Sequence, residues 1–143
     1  MGKMYVIGGC NVIYLNDVWS STDGATWTLV TAAASFAGRY GPTSFVDAWG
    51  KMYVIGGVDQ KSVYLNDVWS STDGVIWTLV TSAASFVGRV DHTSLVYAGN
   101  MYVIGGRGSN FGLFNDVWRL YTTTAMPSFV PSISPSSPGK FQL

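Results

Sequence analysis

Arg39 and Arg89 each follow a glycine and stand 50 residues apart. A guanidinium offers a planar fork of donors that matches a carboxylate. The pair is therefore a candidate for holding an acidic ligand, with bonding to backbone carbonyls as the simpler structural alternative. His92, the only histidine, lies three residues beyond Arg89 and is a candidate contact. Asp17, Asp67 and Asp116 recur behind Asn16, Asn66 and Asn115 in three copies of Asn-Asp-Val-Trp. Carboxylates and amides can bind metals, but a spacing near 50 puts these residues in separate structural units. No metal centre and no cofactor are expected. Short polar side chains bonding nearby backbone fit the pattern better. No motif supports a Ser-His-Asp triad. Trp19, Trp69 and Trp118, with Trp27 and Trp77, recur and read as packing residues. Trp49 falls outside the pattern and is a candidate exposed contact. The glycine-rich stretch 105–112 does not match a phosphate loop, and it joins two strands rather than opening a helix.

The elements that must position these residues are repeats. Met-Tyr-Val-Ile-Gly-Gly starts at Met4, Met52 and Met101, and Asn-Asp-Val-Trp at Asn16, Asn66 and Asn115. The eleven residues Tyr14–Gly24 are repeated without change at Tyr64–Gly74. A period near 50 suits propeller blades or long helical repeats. No apolar period of 3.6 runs for ten residues, whereas short β-branched and aromatic runs stopped by glycine predict strands. In the second unit these are Thr43–Val46, Met52–Ile55, Tyr64–Ser70 and Trp77–Thr81. The second of them is apolar at every position, which predicts cover on both faces of its sheet. The Gly-Gly pairs are expected to end that strand. Asp23-Gly24 and Asp73-Gly74 predict tight hairpins with positive φ at both central residues. The loops after Gly-Gly differ in length and chemistry, so binding specificity is expected there. Asp59, Gln60 and Lys61 are candidate contacts in the second loop, and Arg107 and Asn110 in the third.

Eight basic and eight acidic residues cancel. There is no general attraction to nucleic acid or anionic membrane, and neither is an expected partner. One cysteine, Cys10, excludes an intrachain disulfide. No apolar run approaches the roughly 20 residues of a membrane span, and the N-terminus does not read as a signal peptide. The compartment cannot be read. Residues 122–143 hold four of the five prolines, five serines and three threonines. They are expected to form a linker or disordered tail, with Ser-Phe-Val-Pro-Ser-Ile as an alternative outer strand.

The Arg before an inner strand, the Tyr-Val-Ile-Gly-Gly strand end, the variable loop, Asn-Asp-Val-Trp and the Trp opening an outer strand together resemble the kelch repeat. The resemblance covers residues 3–121, in units of about 1–38, 39–88 and 89–121. It implies an all-β, β-propeller-type fold of four-stranded antiparallel blades, with the first unit lacking its inner strand. Two and a half to three blades make an incomplete ring. Either further blades of a longer chain complete it, or two copies form a six-bladed homodimer. The functional expectation is a non-catalytic module that binds a protein, or a carbohydrate, through its variable loops. The alternative is a fragment of a kelch-type enzyme acting on sugars, galactose oxidase-like or sialic acid-processing, with its catalytic residues outside this chain. One histidine cannot build the two-histidine copper site of the former.

Overall fold

The computed structural model describes residues 2–121 and 128–133. Among these described residues, twelve strands form three antiparallel sheets. The first contains β1 (Met4–Cys10), β2 (Tyr14–Ser21) and β3 (Thr28–Thr31) in that order. The second contains β4 (Arg39–Tyr40) and β5 (Thr43–Val46), which both pair with β6 (Met52–Asp59), then β7 (Tyr64–Ser71) and β8 (Thr78–Thr81). The third contains β9 (Thr93–Tyr97), β10 (Asn100–Ile104), β11 (Val117–Tyr121) and β12 (Ser128–Ile133). A single turn of 3-10 helix occupies Ser109–Phe111. Each sheet is a blade, and among the described residues the first blade has no inner strand.

β12 lies within the segment expected to be a linker or tail. It pairs with β11 as the outer edge strand, with Pro131 opposite Trp118 at an irregular register. Proline is tolerated there because an edge strand needs only one side of its backbone for the ladder. The rest of that segment lies outside the described residues.

The Gly-Gly pairs do not end the second strand of the first two blades. β6 runs through Gly56 and Gly57 to Asp59, and β1 runs through Gly8 and Gly9 to Cys10. The pairing register slips between Ile55 and Gly57, and between Ile7 and Gly9. Gly56 has φ 59° and Gly57 φ 95°, which β-carbons would resist. The pair makes a bulge that bends the strand rather than a stop.

Blades stack face to face through alternate side chains of β6. Met52 and Val54 face the first blade, where they join Val18, Ala34, Phe36 and Trp77. Tyr53 and Ile55 face the third, where they join Val68, Ala84, Phe86, Met101 and Val103. This explains the continuous apolarity of Met-Tyr-Val-Ile. Each fully buried Val or Ile contributes about 1.5–3 kcal/mol. β1 carries the same four residues, and its Tyr5 and Ile7 pack toward the second blade, but no described blade faces Met4 and Val6. Met4 is 45% and Val6 48% exposed, against 2% and 0% for Met52 and Val54.

The Asp-Gly hairpins also differ from expectation. Only the glycines take positive φ, 78° at Gly24 and 80° at Gly74. The turn closes instead through carboxylates. Asp23 Oδ1 accepts from the N–H groups of Ala25 and Thr26 at 2.8 Å and from the Ser21 hydroxyl at 2.9 Å. Asp73 repeats this with Val75, Ile76 and Ser71. Donors from the Thr26 and Ala25 backbone lower the Asp23 pKa to about 2.

Candidate functional site

The repeated polar residues converge on the joints between blades. Arg39 is fully buried. Its Nη1 donates to Asp67 Oδ1 at 2.7 Å and to the Gly56 carbonyl at 2.8 Å, and its Nη2 to Asp67 Oδ2 at 3.0 Å. Its Nε donates to the Ala37 carbonyl at 3.0 Å. Arg89 repeats the set on Asp116 at 2.6 and 2.9 Å, on the Gly105 carbonyl at 2.7 Å and on the Val87 carbonyl at 3.0 Å. Burial alone would raise the Asp116 pKa. The hydrogen bonds from Arg89 and Trp118 outweigh it and leave the carboxyl below its usual range. Each arginine thus belongs to the link preceding a blade and locks onto the aspartate of that blade.

Phenylalanine and asparagine complete the joint. Phe36 and Phe86 stand under the guanidiniums of Arg39 and Arg89, 5.3 and 5.4 Å from ring centre to Cζ. Phe36 meets the Trp69 and Trp77 rings edge-on, at 6.3 and 5.2 Å. Asn66 Nδ2 donates to the carbonyls of Ala84 and Phe86 at 2.8 and 3.1 Å, and Asn16 does the same to Ala34 and Phe36. The asparagines therefore bond backbone, but 18 and 20 residues away rather than locally. Gly88 lets the link pass: a β-carbon there would lie 2.1 Å from the Tyr64 carbonyl oxygen.

Arg39 and Arg89, named above as candidate contacts for an acidic ligand, turn their donors to carboxylates and carbonyls of the interior, which is the structural alternative stated beside that reading. His92 is also internal. Its Nε2 lies 2.8 Å from Thr43 Oγ1, linking the inner strands of the second and third blades. Burial and the nearby Arg89 charge push its pKa down to about 4 against the opposing pull of Asp91. The imidazole is neutral at pH 7.

The remaining candidates lie at two ends of the blades. Trp49 is exposed in the turn between β5 and β6. Asp59, Gln60 and Lys61 lie at the other end of β6, about 25 Å away along an eight-residue strand. Asp59 Oδ1 organises its own loop by accepting from the Lys61 and Val63 N–H groups at 2.9 Å, while Gln60 and Lys61 are exposed. Trp49 therefore does not share a site with them.

At the loop end a continuous polar and aromatic strip crosses the blades. The Tyr14 and Tyr40 rings are 6.0 Å apart. Arg107 Nε donates to Asp91 Oδ2 at 2.8 Å, and Arg107 Nη1 donates to the Tyr64 hydroxyl at 3.4 Å. The Asp91 hydrogen bond is the main reason its pKa is raised. Backbone bonds between Val90 and Arg107 and from Asp91 to Gly41 tie the links together. Around this strip Val12, Phe111 and Leu113 are almost wholly exposed, and Asn110 turns its loop with φ 64°. Tyr14, Tyr40, Tyr64 and Asp91 were not singled out by sequence reasoning. Their positions next to the Gly-Gly loops and Gly-Arg links were the available signal. Among the described residues no group of three or more His, Cys, Asp and Glu could hold a metal ion. No helix of the described residues is long and apolar enough to cross a membrane.

Antiparallel blades stacked face to face, with an arginine at the start of each of the last two units locked onto the aspartate of the same unit, make up a partial β-propeller. The chain belongs to the kelch-repeat family: the model for the KLHDC2/KLHL20/DRC7 Kelch-repeats domain matches residues 1–141. Among solved structures, that of YjhT superposes with a TM-score of 0.77 at 19% identity. The match covers 96% of this chain and 50% of that one, so the chain spans about half the length of that structure. Likeness at this identity shows the shared fold. No curated protein matches the chain.

Proposed function

We propose that this chain is an interaction module that binds a protein through the loop end of its blades. The observation that carries this reading is a division of labour. The residues that the repeats hold constant are spent on one another in the joints. The loops in which the repeats disagree hold Val12, Phe111 and Leu113 out to solvent. Exposed apolar side chains rimmed by Arg107, Lys61 and tyrosines suit a protein surface, and kelch-repeat domains commonly bind proteins. The ring is completed by further kelch units.

The test is affinity capture with the wild-type chain and with Phe111→Ser/Leu113→Ser. Protein partners retained by the first and lost by the second, at unchanged melting temperature, are the expected result. The same set captured by both would refute the reading. A second reading, a piece of a sugar-processing propeller enzyme, draws on the half-length match to a longer chain. Turnover or tight sugar binding by this chain would favour it.

A further inference from the structure

Of the eight aspartates, only Asp23 and Asp73 stand before a glycine. Asp-Gly is the peptide link most open to succinimide formation, because no side chain shields the glycine nitrogen and its backbone turns freely. The nitrogen attacks the aspartate Cγ. A C–N bond forms, and the N–H proton leaves with the carboxyl hydroxyl as water. Water then reopens the ring. Opening at the main-chain carbonyl routes the chain through Cγ and leaves an isoaspartate, with one more carbon in the backbone.

In both turns one serine holds the two groups that would react. Ser71 Oγ accepts from the Gly74 N–H at 2.8 Å and donates to Asp73 Oδ1 at 3.0 Å. The same carboxylate oxygen accepts from the Val75 and Ile76 N–H groups at 2.8 and 2.9 Å. Turning Cγ onto the Gly74 nitrogen breaks these bonds, and Ser71 is buried where water does not replace them. Ser21 holds Gly24 and Asp23 in the same way, at 2.8 and 2.9 Å. The backbone donors, Ile76 first, also lower the Asp73 pKa. The un-ionised carboxyl that ring closure consumes is therefore rarer than in a free peptide. The turn matters to the core beneath it. Trp77 Nε1 donates to the Gly74 carbonyl at 2.9 Å, and Trp77 is buried between the first two blades. An extra backbone carbon at residue 73 would shift that carbonyl and unseat the indole.

We propose that Asp23-Gly24 and Asp73-Gly74 are sites of isoaspartate modification, each kept closed by the hydroxyl of the serine two residues before its aspartate. The two turns react only when that clasp opens, so local opening sets the rate. The proposal uses neither the loop-end reading nor ring completion.

The test follows isoaspartate during prolonged incubation of the whole chain in neutral buffer. Cleavage after Lys3, Arg39, Lys61 and Arg89 places the two sites on separate peptides, 4–39 and 62–89, on which the isomer is resolved by chromatography. A synthetic peptide of residues 69–79 gives the unprotected rate. The wild-type chain should isomerise about tenfold or more slowly than the peptide at both sites. Ser71→Ala should bring residue 73 toward the peptide rate and leave residue 23 slow, and Ser21→Ala should do the reverse. Each variant thus carries its own control for folding. A wild-type chain that matches the peptide rate would overturn the proposal. So would a Ser71→Ala chain that stays slow at residue 73. Equal acceleration at both sites by either variant would trace the effect to general unfolding and overturn the serine clasp.

Discussion

Two substitutions of the same residue type separate the worth of the interblade arginine from everything else at the joint. Asp67 and Asp17 occupy equivalent positions, and each accepts a tryptophan indole N–H two residues on, at 2.8 Å. Only Asp67 also faces an arginine, at 2.7 and 3.0 Å. Asp67→Asn turns one of the two acceptors into an amide that donates toward a guanidinium only 1% exposed. The buried Arg39 keeps its bonds to the Gly56 and Ala37 carbonyls but loses its counter-charge. Removing one partner of a buried pair costs about 3–5 kcal/mol, because the other charge stays buried. For a chain of this size that corresponds to a fall of about 10 °C or more in the melting midpoint. Asp17→Asn strands no buried cation and should stay within about 0.5 kcal/mol of the wild type. Parallel thermal and urea unfolding followed by tryptophan fluorescence gives both numbers. Equal losses in the two variants would show that the aspartate acts through its tryptophan or the strand alone, and the ion-pair argument would fail.

His92 is depressed in the folded chain to about 4 from a reference of 6.5, so the unfolded chain binds the extra proton between those values. Stability is fully present above about pH 6.5 and falls as pH drops toward 4, by about 3 kcal/mol in all. His92→Gln should flatten that slope in urea midpoints taken across the range. Gly88→Ala should cost about 1–3 kcal/mol or more, since its β-carbon meets a backbone oxygen that cannot yield. Gly112→Ala, with open space and φ −64°, should leave the midpoint unchanged in the same denaturation series. Asp73→Ala should accelerate amide exchange at Val75 and Ile76, whose N–H groups lose their acceptor. In the wild type the Asp23 turn is stabilised above its unfolded value of 3.8 and lost as pH falls through about 2. Exchange at Ala25 and Thr26 should therefore stay slow at pH 4.

Periodicity made the strands legible. Thr43–Val46 and the core of Met-Tyr-Val-Ile follow from β-branched and aromatic runs, and continuous apolarity foretold two buried faces. The joint was less legible. Gly-Arg and Asn-Asp-Val-Trp were each visible, but Arg39 lies 28 residues from Asp67 and Arg89 lies 27 from Asp116. The near-identical spacing was the only sign that they pair, and it becomes meaningful once the link of one unit is known to cross the next blade. Phe36 and Phe86 gave no sign of their role, because a phenylalanine in a link looks exposed until two sheets close around it. The Gly-Gly bulge hid behind the usual association of glycine with strand ends. The strip from Tyr14 to Arg107 joins residues from separate units, and no single-unit pattern predicts it.

Every bond of the joint has both ends within one period of the sequence. Asn16 reaches 20 residues forward to Phe36, and Arg39 reaches 28 forward to Asp67. A cut after Gly38 rejoined at Arg89 removes 50 residues, yet Asn16 still finds Phe36 and Arg89 still finds Asp116. The chain can thus be lengthened or shortened by whole units while each new neighbour meets a fastening it already fits. For the same reason a newly synthesised unit can be secured to the one before it as soon as its own aspartate emerges, long before the ends of the molecule meet.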